Sequence, residues 1–84
     1  MRGGLTVARV RFFAQARDAA GTREAEIGGS TLAEVLEGAV EHFGVELARV
    51  LEISSVWVNG EEATPDQPVA EGDEVAVLPP VSGG

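Results

Sequence analysis

From Leu5 to Phe13 the residues alternate, with Ala8, Val10 and Phe12 on one parity and Arg9, Arg11 and Phe13 on the other. Successive side chains of a strand point to opposite faces, so the segment predicts a strand with one face built for a core. The other parity directs Phe13, with Arg9 and Arg11, away from that core, where an exposed aromatic would meet a partner. A turn or short helix follows over 16–22. Arg23 to Ile27 then alternates again with Ala25 and Ile27 inward, which makes the first two strands a hairpin. Gly28-Gly29-Ser30 breaks the second strand. Thr31-Leu32-Ala33-Glu34 reads as a capping box, whose hydroxyl and carboxylate satisfy free amides of a helix starting at Leu32.

Leu32, Val35, Leu36, Ala39, Val40 and Phe43 fall on one helical stripe, while Glu34, Glu37 and Glu41 take the opposite side. Gly44 is placed to stop this helix, and Gly38 inside it costs up to roughly 1 kcal/mol relative to alanine. A short helical piece over 45–51 follows. Then come Val56-Trp57-Val58, the hairpin signal Asn59-Gly60, a polar stretch with Pro65 and Pro68, and a last strand from Glu74 to Leu78. Pro79-Pro80 ends it. This order predicts an α+β fold in which one main helix packs across one face of a mixed sheet, the β-grasp or ubiquitin-like architecture. Residues 1–78 form the domain and residues 79–84 an extended tail.

Composition narrows the chemistry. A chain of 84 residues, 44% apolar and 24% charged, supports one modest core and no second domain. Without cysteine, neither disulfides nor a Cys-based zinc site can hold it together. The formal net charge of −8 disfavours nucleic acid and anionic membranes, which call for a basic surface. No apolar leader precedes the first strand, so the cytoplasm is the expected compartment. All six basic residues are arginines, so no side-chain amine is available for Schiff-base or acyl-acceptor chemistry. His42 lies off the apolar stripe and has no metal or general-base partner in the pattern. Glu61-Glu62 and Glu71-Gly72-Asp73-Glu74 lack the spacing of a calcium loop and read as solvated turns. Gly28-Gly29-Ser30-Thr31 lacks the Walker lysine and the dinucleotide glycine spacing, and reads as a turn and cap. No side-chain constellation makes this chain an enzyme by itself, and no metal or bound cofactor is expected.

What remains is the end of the chain, Leu78-Pro79-Pro80-Val81-Ser82-Gly83-Gly84. Prolines lock φ and fix an exit direction, while glycines let backbone enter a narrow channel without Cβ clashes. Pro80, Val81, Ser82 and Gly83 would insert into a partner and bring Gly84 to its active site. A terminal carboxylate, with a pKa near ~3.3–3.7, is ionised and a poor electrophile at neutral pH. Adenylation by a partner using ATP would activate it, and a sulfur donor attacking the acyl-adenylate would leave a thiocarboxylate.

Three segments, Arg11-Phe12-Phe13-Ala14-Gln15-Ala16-Arg17, Val58-Asn59-Gly60 and the run from Gly72 to Gly84, resemble the molybdopterin synthase sulfur-carrier (small) subunits of the MoaD/ThiS type. The resemblance spans nearly the whole chain, apart from a slightly longer lead over Met1 to Gly4. It implies a cycle with two partners. An adenylyltransferase related to ubiquitin-activating enzymes charges Gly84, and the large synthase subunit, in an expected heterotetramer, binds cyclic pyranopterin monophosphate and receives the sulfur. Phe13, Arg11 and Arg17 are the expected partner contacts. The thiamine sulfur carrier shares the fold and the Gly-Gly end but is usually shorter and lacks the Phe-Phe-Ala-Gln-x-Arg segment. A protein modifier would join the same end to target lysines, and a passive interaction domain would do neither.

Overall fold

The computed structural model describes residues 6–80. Its elements are β1 (Val7–Phe12), α1 (Ala14–Ala20), β2 (Glu24–Gly28), α2 (Leu32–Phe43), α3 (Val45–Glu52), β3 (Ser55–Val58), β4 (Glu61–Glu62) and β5 (Glu74–Leu78). The sheet order is β2-β1-β5-β3-β4, with β1 and β5 parallel and the other neighbours antiparallel. This is the expected β-grasp: a mixed sheet carrying its helices on one face. β1 and β2 pair as a hairpin would, but a seven-residue helix joins them in place of a tight turn. Helix α1 is too short to persist alone, and it holds because Ala16 is fully buried beneath it.

The strand registers turn the sequence alternation into two chemically different faces. Across the sheet, Ala25, Val10, Val75 and Val58 are successive partners, as are Phe12, Val77 and Val56, so the helix-facing side is an unbroken apolar surface. Leu32, Val35, Ala39 and Leu47 close over it from α2 and α3. On the other side Glu24, Arg11, Ala76, Trp57 and Glu62 form one row, and Glu26, Arg9 and Glu74 another. Opposite charges on facing strands each contribute a few tenths of a kcal/mol and leave this face hydrated.

The start of α2 differs from the predicted capping box. Thr31 Oγ1 accepts from Glu34 N as expected, but the Glu34 carboxylate reaches back to the amide and hydroxyl of Ser30 instead of the amide of Thr31. The next amides, on Leu32 and Ala33, donate to the carbonyls of Gln67 and Pro65. The polar, proline-bearing stretch before β5 is therefore the cap of α2, and the amides that an anion would need are already satisfied. Gly38 sits where α2 crosses β2, and a Cβ there would lie 3.0 Å from Ile27 Cγ2, which explains a glycine in a helix interior.

Gly29 is fixed more tightly. Its φ is +154°, and a Cβ would lie 2.9 Å from the backbone nitrogen of Val35. Gly29→Ala is expected to destabilise the chain by about 1–3 kcal/mol in denaturant unfolding. Gly72→Ala, also at positive φ (+82°) but facing open space, should cost less. Equal losses would mean that the close approach to α2 does not matter.

Candidate functional site: the root of the tail and its arginine cleft

β5 is the central strand, and its C-terminal end is where the tail begins. Asn59 and Asp73 fix its register. Asn59, in the turn after β3, donates from Nδ2 to Asp73 Oδ1 (3.1 Å) and accepts the Glu74 amide on Oδ1 (3.0 Å), while its own amide donates to the Glu74 carbonyl (2.8 Å). Asp73 Oδ2 accepts the Ala70 amide at 2.8 Å. Asn59 adopts φ +52° and Gly60 +85°, the left-handed pair that a tight hairpin turn requires. One clamp thus ties the β3–β4 turn to the start of the tail-bearing strand.

At the other end of β5, Leu78 is half-buried on the open face, Pro79 is buried and Pro80 is exposed, so the chain leaves the core between the two prolines. Neither proline has an N–H to continue the ladder. Val81, Ser82, Gly83 and Gly84, assigned to insertion and chemistry by the sequence, lie outside the described residues, as do Met1 to Gly4.

Beside the root stands Phe13, 39% exposed, whose amide donates to the Val77 carbonyl at 3.3 Å. Arg11 lies over its ring, with the guanidinium carbon 5.7 Å from the centroid, and pairs with Glu74 at 3.6 Å. Both ends of that pair are about half exposed (48% and 47%), so water screens it and it adds little stability. Arg11, Phe13 and Arg17, the expected partner contacts, line one cleft of about 490 Å³. Arg23, which the sequence reading did not single out, joins them from the turn before β2, placing half of the chain's six basic residues in one place. A signal was available: arginines recur every six residues, at 11, 17 and 23, before, within and after the α1 segment of an otherwise acidic chain. Among the described residues neither Arg17 nor Arg23 is paired with a carboxylate. Glu24 lines the cleft too, and three arginines against that one carboxylate leave a net-positive, aromatic-walled surface beside the root of the tail, suited to carboxylates of a partner.

Core packing supports this corner from behind, where Phe12 meets Phe43 edge to face at 5.4 Å. His42 is exposed, as expected, and its ring stands against Phe43 at 4.6 Å. Among the described residues no group of three His, Cys, Asp or Glu side chains is placed to hold a metal, and no helix is long and apolar enough to cross a membrane.

Known proteins place this arrangement. The profile of the ThiS family matches residues 10–84. The molybdopterin synthase sulfur carrier subunit of Escherichia coli (strain K12) is 35% identical over 81 residues, covering 90% of this chain and 98% of that protein. Among solved structures, SAMP1 from Haloferax volcanii superposes with a TM-score of 0.84 at 30% identity, covering 93% of this chain and 99% of that one. Subunits 1 and 2 of the molybdopterin-converting factor from Helicobacter pylori 26695 have been solved as a complex, and a chain of it superposes with a TM-score of 0.70 at 25% identity, covering 94% of this chain and all of its own.

The hydrogen bonds to Asp73 hold its carboxyl below the ordinary value of 3.8, first through the Ala70 amide and then through Asn59. A depressed folded-state pKa contributes stability above the unfolded value, which is lost as pH falls through the folded one. In the wild type, part of the acid-induced loss of stability should therefore begin near pH 3.8 and continue below it. Asp73→Asn should flatten that limb when unfolding is followed against pH. An unchanged acid limb would show that the clamp adds nothing.

Proposed function

The chain belongs to the ThiS family, and on that premise we propose that it carries sulfur on the carboxylate of Gly84 for the assembly of molybdopterin. The observation that carries this proposal is a Gly-Gly tail that starts directly beyond the buried Pro79, at the end of the central strand. Four residues after Pro80 reach at most about 13–14 Å, at ~3.3–3.6 Å each, so the fold sets how deep the terminus can enter a partner.

An activating adenylyltransferase binds the tail. A carboxylate oxygen of Gly84 attacks the α-phosphorus of ATP, pyrophosphate leaves, and the acyl carbon becomes a competent electrophile. Hydrosulfide adds to that carbon, AMP departs, and a thiocarboxylate remains. With no cysteine, the chain has no side-chain thiol to hold the sulfur elsewhere. The large synthase subunit then presents cyclic pyranopterin monophosphate, and the thiocarboxylate sulfur bonds to a side-chain carbon of the pterin as an oxygen substituent leaves that carbon, as water or as the phosphate. Hydrolysis of the resulting acyl link leaves sulfur on the pterin and returns the carboxylate. ATP and pterin sit on the partners, this chain holds no cofactor, and the cycle runs in the cytoplasm. Phe13, Arg11 and Arg17 dock the large subunit beside the tail, in keeping with the two-subunit assembly solved from Helicobacter pylori.

A second use of the same terminus is favoured by the likeness to SAMP1, a small archaeal modifier protein by name. There Gly84 would be joined to lysines of target proteins. Both uses share the adenylation step and diverge at the nucleophile.

Incubation with the adenylyltransferase, ATP and a sulfide source should shift the intact mass by one oxygen-to-sulfur exchange, and the chain lacking Gly84 should show no exchange. Losing one residue withdraws the carboxylate by ~3.3–3.6 Å, against a tolerance near ~1 Å for productive geometry, while the melting temperature stays put. Full-rate sulfuration of the shortened chain would refute the proposal, and isopeptide-linked remnants without thiocarboxylate would assign the modifier role.

Docking has its own readout. Phe13→Ala should weaken binding of the large subunit by about tenfold or more, with a small change in melting temperature because the ring is already 39% exposed. The reverse ranking, stability lost and binding kept, would place Phe13 in the core instead.

A further inference from the structure

Away from the tail, α2 and α3 turn about Gly44 (φ +106°) and leave a groove of about 540 Å³ between them. Its floor is apolar, made by Leu36 and Val40 of α2 and by Ala48 and Leu51 of α3. Its rim is acidic: Glu37, Glu41 and Glu52 line it, and no basic side chain does. Glu37 and Glu41 stand four residues apart on one helix, a like-charge spacing that costs a few tenths of a kcal/mol. Among the described residues neither glutamate has an ion-pair partner, the pair found there being Arg11–Glu74 on the sheet. Val45, 65% exposed and one turn before Ala48, extends the apolar strip at the start of α3.

We propose that this groove receives a basic amphipathic helix of a partner protein, apolar residues at i, i+3 and i+4 entering the floor and lysines or arginines meeting Glu37, Glu41 and Glu52. Charge selects the occupant. A second copy would bring its own acidic rim to the first, and an anionic membrane would be repelled by a chain of net charge −8. A cationic helix gains the buried apolar area and relieves the repulsion along the rim. The groove shares no residue with the tail root or the arginine cleft, so the inference goes beyond the sulfur-carrier proposal and does not rest on it.

The test titrates the full chain with a synthetic leucine/lysine amphipathic helix and with a second helix of the same lysines in which alanine replaces leucine. Two protein variants of equal net charge are compared: Glu37→Gln/Glu41→Gln/Glu52→Gln in the groove, and Glu26→Gln/Glu61→Gln/Glu62→Gln on the sheet. The leucine helix is expected to shift the methyl resonances of Leu36, Val40 and Leu51. Its affinity should fall about tenfold or more in the groove variant and less than about threefold in the sheet variant. The alanine helix should bind about tenfold more weakly than the leucine helix. Equal losses in the two variants, equal binding of the two helices, or methyl shifts centred elsewhere would reduce the effect to general attraction and overturn the proposal. Concentration-dependent dimerisation of the chain that the groove variant abolishes would overturn it too, assigning the groove to a second copy.

Discussion

The insertion of β5 between β1 and β3 is the constraint on which the rest depends. Hydrogen bonding of the last strand to the first in parallel and to the third antiparallel brings Val75 and Val77 between Val10 and Phe12 on one side and Val56 and Val58 on the other. Without that strand the apolar face would be cut in two, and neither half could bury enough surface to offset the entropy of ordering it. The closing strand is also the one that bears the tail. The strand that completes the core therefore also places Pro79, from which residues 80–84 continue.

Around that strand the structure divides labour between its faces. The helix-facing side is sealed by α2 and α3, while the open side carries charged rows, Trp57 and the half-buried Ala76 and Leu78. Phe13 and Arg11 belong to that open side and line the arginine cleft. Those arginines sit within a chain that is otherwise strongly acidic, so they form a local attraction inside a generally repulsive field, an arrangement that favours orientation over indiscriminate binding.

Backbone satisfaction supplies the rigidity. The loop that looks like a polar connection in the sequence gives its Pro65 and Gln67 carbonyls to the first amides of α2, and the Asn59–Asp73 clamp fixes the approach to β5. Both devices are distant in sequence from the elements they hold. They convert the stretch between β4 and β5 from a tether into a brace for the strand that leads to Pro79.

Local patterning determined a great deal by itself. Alternation placed Ala8, Val10 and Phe12 inward and Phe13 outward, and the apolar stripe from Leu32 to Phe43 set both the length and the inner face of α2, because these periodicities follow from backbone geometry alone. Three segments together, Arg11 to Arg17, Val58 to Gly60 and Gly72 to Gly84, identified the family without any fold. Tertiary structure decided what depends on distant residues meeting. Between the turn and the short helix that the sequence left open after the first strand it chose the helix, since Ala16 finds a core to enter. It sent the Glu34 carboxylate to the amide and hydroxyl of Ser30, and it gave the amides of Leu32 and Ala33 to loop carbonyls more than thirty residues away in sequence. It added Arg23 to Arg11 and Arg17, and it made a groove from α2 and α3 whose walls lie on separate helices. Periodicity reports which way one side chain faces; which side chains share a cleft is fixed only when the strands and helices have chosen their neighbours.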